Sequence, residues 1–200
     1  DQNSLQFDMQ SFYSKYLEDL RHDQDWGCAK NPHGCEGRAP EDTEGCVSDV
    51  VPYDTIGQFP GTPVWQLAYV IITRAHWRHY ADAGVVARHY PGLVKRMAHM
   101  QRQANASNGL ADLEGHGDWV CVGPNGPGQM GSPGSCARTP ASLTSAFYWA
   151  QSLGLMAELA EVAGRPTSEV ADWKQRHAAA LRAWHARFYD EQAKGYAPVH

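Results

Sequence analysis

The sequence predicts an all-α fold built from helical hairpins, and three observations predict it. Five stretches carry apolar residues at the helical repeat. No stretch alternates strongly enough to read as a strand of an α/β fold. The connections between the five stretches run long, short, long, short. In consecutive antiparallel helices alternate turns lie on one rim, so both long connections are expected at one end and both short links at the other. Helix pairs with elaborated loops on one rim describe a helical-hairpin toroid or an α-solenoid. Five helices make an arc, and an arc leaves an apolar flank exposed. The chain is therefore expected to be the central portion of one domain, incomplete at both ends and joined to the remaining parts of the same larger polypeptide.

The first helix is expected from about Phe7 to Arg21, with Phe7, Phe12, Tyr16 and Leu20 inward and Lys15, Glu18 and Asp19 toward water. From His22 to Thr62 the periodicity gives way to Gly, Pro, Asp and Cys. That length far exceeds the usual connection of about 4–6 residues, so it should be functional, cross-linked or both. Pro63 suits the first turn of a second helix with Thr62 as its cap. Val64, Leu67, Ala68, Ile71, Ile72 and Ala75 then mark a wide apolar face running down to Tyr80.

Ala81 to Gly84 reads as a tight link. The third helix is expected over about Val85 to Ala104, with Val86, Leu93, Val94, Met97 and Met100 inward and Pro91 bending or restarting it. A second long loop spans Asn105 to Thr139. Thr139 and Pro140 repeat the opening seen at Thr62 and Pro63, and a fourth helix follows to Ala163 with Leu143, Phe147, Ala150, Leu153, Leu155, Met156 and Leu159 apolar. Gly164 and Pro166 stop it. Thr167 opens a fifth, striped by Val170, Trp173, His177, Leu181, Trp184 and Phe188, with Gly195 closing it.

At 200 residues the chain can bury a substantial core. A net charge of -5 and a pI near 6.0 give no basic footprint, which argues against nucleic acid as a partner. No apolar run approaches the roughly 18 residues of a membrane span. The chain opens at Asp1 without an initiating Met or a signal peptide, so processing or excision from something longer is expected. The cysteines Cys28, Cys35, Cys46, Cys121 and Cys136 all fall in the expected loops, a distribution that suggests disulfides and a secreted or extracellular setting. Cys121 with Cys136 would close the second loop, and the first loop's three leave one without a partner among themselves. Zinc is disfavoured, because there is no close Cys-x-x-Cys pair and no histidine pair in register. Asn105-Ala106-Ser107 is a glycosylation sequon that agrees with secretion.

The chemistry concentrates in Glu114-Gly115-His116-Gly117-Asp118-Trp119, inside the second long loop. Loops held by a rigid frame are where binding groups gather. A carboxylate grips sugar hydroxyls while an indole face covers the apolar side of the ring. The plain alternative is a glycine-rich turn with Asp118 as a cap. Asp54, with Tyr53, is a further pocket candidate near the return to the second helix. The acidic residues Glu36, Glu41, Asp42, Glu44, Asp49 and Asp54 lack an EF-hand spacing and read as a solvated loop. His76, His79, His89, His99, His177 and His185 are expected as surface or capped histidines. Glu158 and Glu161 read as a solvated face. There is no Gly-x-Ser-x-Gly elbow, and no cofactor motif is found.

With the loops placed, the chain resembles the catalytic domain of α-L-rhamnosidases, glycoside hydrolases built on an (α/α)6 barrel. The matching runs are Gln6 to Leu20, Thr62-Pro63-Val64-Trp65, Tyr80-Ala81-Asp82, His89 to Lys95, Gly117-Asp118-Trp119 and Leu143 to Tyr148, in the family's order and spacing. The resemblance implies inverting hydrolysis of terminal α-L-rhamnosyl residues. One carboxylic acid protonates the departing oxygen and a second carboxylate activates water on the opposite ring face, the two roughly 6.5–9.5 Å apart. The family's motifs for both carboxylates fall outside these residues, so no catalytic residue is expected in the segment. It should supply barrel wall and sugar pocket.

Carried onto matched positions, Trp65 and Trp119 should wall the rhamnose site and Asp118 should bond its hydroxyls or order a neighbour; His116, by its position beside Asp118, is expected to orient it. Core packing at a helix mouth is the plain alternative for each tryptophan. One departure from the family's pattern follows Trp65, where Gln66 and Leu67 stand in place of a small residue and an aspartate. The competing functional class is a non-catalytic glycan-binding or structural extracellular protein on the same fold. A protein-binding α-solenoid would show a repeat period, and none is found.

Overall fold

The computed structural model describes residues 5–29, 35–37, 40–53, 59–111, 139 and 141–196. Among the described residues seven α-helices run in chain order: α1 Gln10–Trp26, α2 Pro40–Thr43, α3 Pro63–Gln66, α4 Ala68–Tyr80, α5 Ala83–Ala106, α6 Ala141–Val162 and α7 Thr167–Phe188, with a short 3-10 turn at Gly27–Ala29. A hairpin of two-residue strands, β1 Tyr189–Asp190 and β2 Gly195–Tyr196, ends the described part, with Tyr189 opposite Tyr196.

The long helices alternate in direction as their connections require. Met9 donates its N–H to the Tyr80 hydroxyl at 2.8 Å, which sets the start of α1 beside the end of α4. The Trp184 indole reaches the Leu143 carbonyl at 3.4 Å, which sets the end of α7 beside the start of α6. The ends of α1, α5 and α7 and the starts of α4 and α6 therefore share one rim. Both long connections return there, and the links Ala81–Asp82 and Ala163–Pro166 lie opposite, as the alternation requires.

Helix α6 packs on α3, α4, α5 and α7, which explains why it is apolar nearly all round. Trp149, Leu153, Met156 and Leu159 lock it to Leu67, Tyr69, Val86, Leu93, Met97 and Met100. A smaller cluster of Leu110, Ala146 and Phe188, backed by Leu143 and Trp184, seals the long-loop rim.

Several expectations need correction. Helix α1 starts later and runs on to Trp26, because its last turn is polar yet buried: Asp23 and Gln24 face inward. Its inner face is Tyr13, Leu17 and Leu20, while Phe7 and Phe12 are 64% and 58% exposed and meet no described element that covers them. Leu181 and Phe147, expected inward, are exposed as well. Thr62 sits at the N-cap position of α3, but its hydroxyl turns to Asp49 Oδ2 at 3.4 Å and makes no side-chain cap. Pro91 stays inside a continuous α5, with no restart. Helix α7 ends at Phe188 rather than near Gly195: Asp190 Oδ1 accepts the N–H groups of Gln192 and Ala193 and turns the chain into the hairpin.

Candidate functional site

The site expected from sequence is split by what the structure describes. Trp65 lies on α3 at the long-loop rim, half-buried, on a four-residue helix that packs against α6. Asp54, His116, Asp118, Trp119, Cys121 and Cys136 lie outside the described residues. Tyr53 is half-buried on the same rim segment as the return to α3.

Next to Trp65 in the chain, Gln66 belongs to a buried polar hub that periodicity does not reveal. The stretch Gly45 to Ser48 is buried, as are Phe59, Gly61 and Thr62, although none of it belongs to a helix. Three helices supply the groups that bind it. From α1, Asp23 accepts the Ser48 N–H at 2.6 Å and its hydroxyl at 3.0 Å, and Gln24 donates to the carbonyls of Gly45 at 2.9 Å and Gly92 at 3.1 Å. From α3, Gln66 Oε1 accepts the Val47 N–H at 3.0 Å while its amide nitrogen donates to the Gly61 carbonyl. From α5, Arg96 Nη1 donates to the same Gln66 oxygen at 2.5 Å. Asp49 in turn takes the Thr62 N–H just ahead of α3.

Two glycines make the approach possible. Gly45 has φ +82, and a Cβ there would stand 2.3 Å from the Lys95 carbonyl oxygen of α5. A Cβ on Gly61 would fall 2.7 Å from the Asp49 nitrogen, so the two arms of the loop touch backbone to backbone. Polar donors and acceptors that would otherwise be buried without partners are thus satisfied across the rim.

Burial sets the electrostatics. Arg96 is fully buried, and desolvation pulls its guanidinium down to about 10, so it remains a cation near neutral pH. The Cys46 sulfur lies 3.7 Å from Arg96 Nη1 and 3.5 Å from both ring nitrogens of His99. Burial, reinforced by Arg96 and Arg102, holds His99 down to about 3, so its ring is neutral. His89 is pushed down to about 4 by burial against the opposing pull of Glu18, and its Nδ1 meets the Tyr69 hydroxyl at 2.9 Å. His76, with its Nε2 3.1 Å from the Ser14 hydroxyl, is held low by burial too. These three histidines are core groups with polar partners, so of the surface and capped placements expected the surface one does not hold. Glu158 is half-buried and pairs with Arg74 at 3.1 Å, so it too is more than a solvated face.

In the first long loop Cys28 and Cys35 form a disulfide, and Cys46 is buried outside that bridge. Asn105 is exposed in the last turn of α5. The acidic residues Glu36, Asp42 and Glu44 are exposed, as expected of a solvated loop. Among the described residues no group of three metal-ligating side chains comes together, and no helix is long and apolar enough to cross a membrane.

A helical arc with one elaborated rim and a tryptophan mounted on it agrees with a match over residues 2–198 to the bacterial α-L-rhamnosidase six-hairpin glycosidase domain. The chain belongs to that family. Its fold is similar to the α-L-rhamnosidase of Dictyoglumus thermophilum, at 25% identity and TM-score 0.71, over 92% of this chain and 18% of that one. The α-L-rhamnosidase of Streptomyces avermitilis, solved with L-rhamnose, aligns at 18% identity and TM-score 0.64, over 92% of this chain and 14% of its own. A GH78 family rhamnosidase of Bacillus sp. GL1 follows at 17% identity and TM-score 0.53, over 74% of this chain and 14% of that one. The chain thus spans less than a fifth of each of these solved proteins. No curated protein matches it. The six-hairpin glycosidase domain therefore accounts for the all-α toroidal architecture, with the hub above fixing one stretch of its rim.

Proposed function

We propose that this chain is the pocket-bearing middle of an inverting α-L-rhamnosidase acting on rhamnose-containing glycans or glycosides. The observation that carries the reading is the family match over residues 2–198, joined to the seat of Trp65 on the elaborated rim. The segment supplies barrel wall and sugar contacts: Trp65 and Trp119 cover the apolar face of the ring, Asp118 takes hydroxyls, His116 orients Asp118, and Asp54 lies at the margin. The general acid and the general base come from chain outside residues 1–200. Protonation of the leaving oxygen and attack by activated water on the opposite face then invert the anomeric centre. No cofactor or metal enters this chemistry.

The protein is secreted and oxidised, a reading supported by the Cys28–Cys35 bridge and by the exposure of Asn105 within its sequon. We infer a second bridge between Cys121 and Cys136, which lie outside the described residues.

The test is turnover of a chromogenic α-L-rhamnoside by the full-length protein, with its Trp65→Ala and Trp119→Ala variants. Each variant is expected to lose about tenfold or more in kcat/KM while its far-ultraviolet dichroism is retained. Unchanged kinetics would remove that tryptophan from the site. Rhamnose binding without turnover would mark a non-catalytic glycan-binding protein on the same fold.

A further inference from the structure

We propose that Arg96, acting through Gln66, is a positioning residue that fixes the Trp65 indole at the pocket mouth, an inference that rests on reading Trp65 as a wall of the sugar site. The need for such a device follows from α3 itself. A helix of four residues gains too little from its own hydrogen bonds to hold a shape, since the first turn is the costly one. Its geometry has to come from outside, and the residue next to Trp65 supplies the handle. Gln66 is 2% exposed and spends its carboxamide on three partners: Val47 N–H at 3.0 Å, the Gly61 carbonyl, and Arg96 Nη1 at 2.5 Å. The first two tie α3 to both arms of the rim loop. The third ties it to α5, the longest helix of the fold.

The cost of that third tie shows what it is for. Arg96 is fully buried, meets no carboxylate among the ion pairs of the described residues, and leaves Nε and Nη2 without an acceptor there. A buried guanidinium so placed is poor value as stabilisation, and an apolar side chain of similar length usually serves a core as well or better. What the arginine adds is a directional donor that meets the Gln66 oxygen at 2.5 Å, with the Cys46 sulfur farther off at 3.7 Å from the same nitrogen, and so a single orientation for α3. A displacement of about 1 Å at a sugar-binding ring is enough to weaken a site strongly.

Arg96→Met keeps the stem and removes the donor. In the full-length protein labelled with fluorotryptophan, the Trp65 resonance, assigned by its loss in Trp65→Phe, is expected to shift or broaden in Arg96→Met. The resonances of the core residues Trp149 and Trp173 should stay in place. With a chromogenic α-L-rhamnoside KM should rise about tenfold while kcat stays within about twofold, and the melting temperature should hold or rise. Arg96→Lys, which keeps a donor, should recover part of the loss. A lower melting temperature with an unmoved Trp65 resonance would make Arg96 a merely structural residue and overturn the proposal. Should Arg96→Met not fold, Arg96→Leu removes the same donor, leaves the Gln66 bonds to Val47 and Gly61 in place, and is read in the same way. A Trp65 resonance that moves while Trp65→Ala leaves KM unchanged would uphold the positioning and bring down the sugar-wall reading alone.

Discussion

The two rims of the helical arc are built by different means. On the short-link rim each turn is made from its own residues. Asp82 caps α5 by accepting the Val85 N–H at 3.0 Å, and Ala81 ends α4 in the left-handed region. Gly164, at φ +67, ends α6, with Arg165 N–H returning to the Ala160 carbonyl at 2.9 Å. Links between helices there run from side chain to side chain, such as Tyr90, which donates to Glu169 at 2.7 Å and accepts from Trp173 at 2.9 Å. On the long-loop rim buried helix side chains bond the loop itself: Asp23 to Ser48 and Gln66 to Val47, with Arg96 on Gln66. A rim whose irregular backbone is bonded by buried helix side chains can hold an uneven surface in one shape, which a binding site requires and a helical turn does not.

The sharpest way to break this comparison is to deny the loop its close approach. In Gly45→Ala the new Cβ would meet the Lys95 carbonyl at 2.3 Å, on a residue already at φ +82. Neither the helix backbone nor a left-handed alanine can yield cheaply, so the loss is expected to be about 3 kcal/mol or more. Urea titration of the full-length protein reads it, and Trp65 emission should change along with it. A loss under about 0.5 kcal/mol would mean that the rim segment is a loose cover rather than part of the core.

This contrast also explains what the sequence made legible. Helix existence, the alternation of connections and the placement of both long loops on one rim followed from apolar periodicity and from proline and glycine punctuation, as at Pro63 and Gly164. Boundaries failed where a polar residue was buried. Asp23 and Gln24 extend α1 past the expected end at Arg21 because their side chains point into the loop, and a hydrophobic pattern counts them as solvent-facing. Phe12 failed in the other direction: it fits the repeat, yet the inward face is set one position on, through Tyr13 and Leu17. At the site, Trp65 is marked out by the resemblance, through its place in the matching run Thr62 to Trp65. Gln66 and Arg96 could not be read as buried, since nothing local marks a glutamine or an arginine that way; their partners are 30 residues apart in the chain.

The second expected effect uses acid rather than mutation. His99 and His89 are held near 3 and 4 by burial, against about 6.5 in an unfolded chain. Between those values the unfolded chain binds protons that the folded one refuses, so stability is full above about pH 6.5 and falls as pH drops through that window. Near pH 5 each histidine accounts for a loss on the order of 2 kcal/mol. His99 lies under the long-loop rim, so His99→Gln should flatten the acid slope of the melting temperature and protect the Trp65 environment most. An unchanged slope in that variant would show that the ring is open to protons in the folded state.

The smallest effect carries the opposite sign and belongs to the other rim. Ala81 sits at φ 54 and ψ 26, where its Cβ crowds the following carbonyl, and Ala81→Gly removes that crowding. Glycine also loses more freedom on folding, which offsets part of the gain. The net is expected to be a stabilisation of about 0.5 kcal/mol, seen as a small rise in the urea midpoint with no change in rhamnoside kinetics. Gly45→Ala and Ala81→Gly exchange the same two residues, both at positive φ. If local conformation alone set the outcome, the two changes would be mirror images of about 0.5 kcal/mol. The excess expected at Gly45 is the part that comes from α5 pressing on the loop, and so measures how firmly the long-loop rim is held by residues remote in sequence.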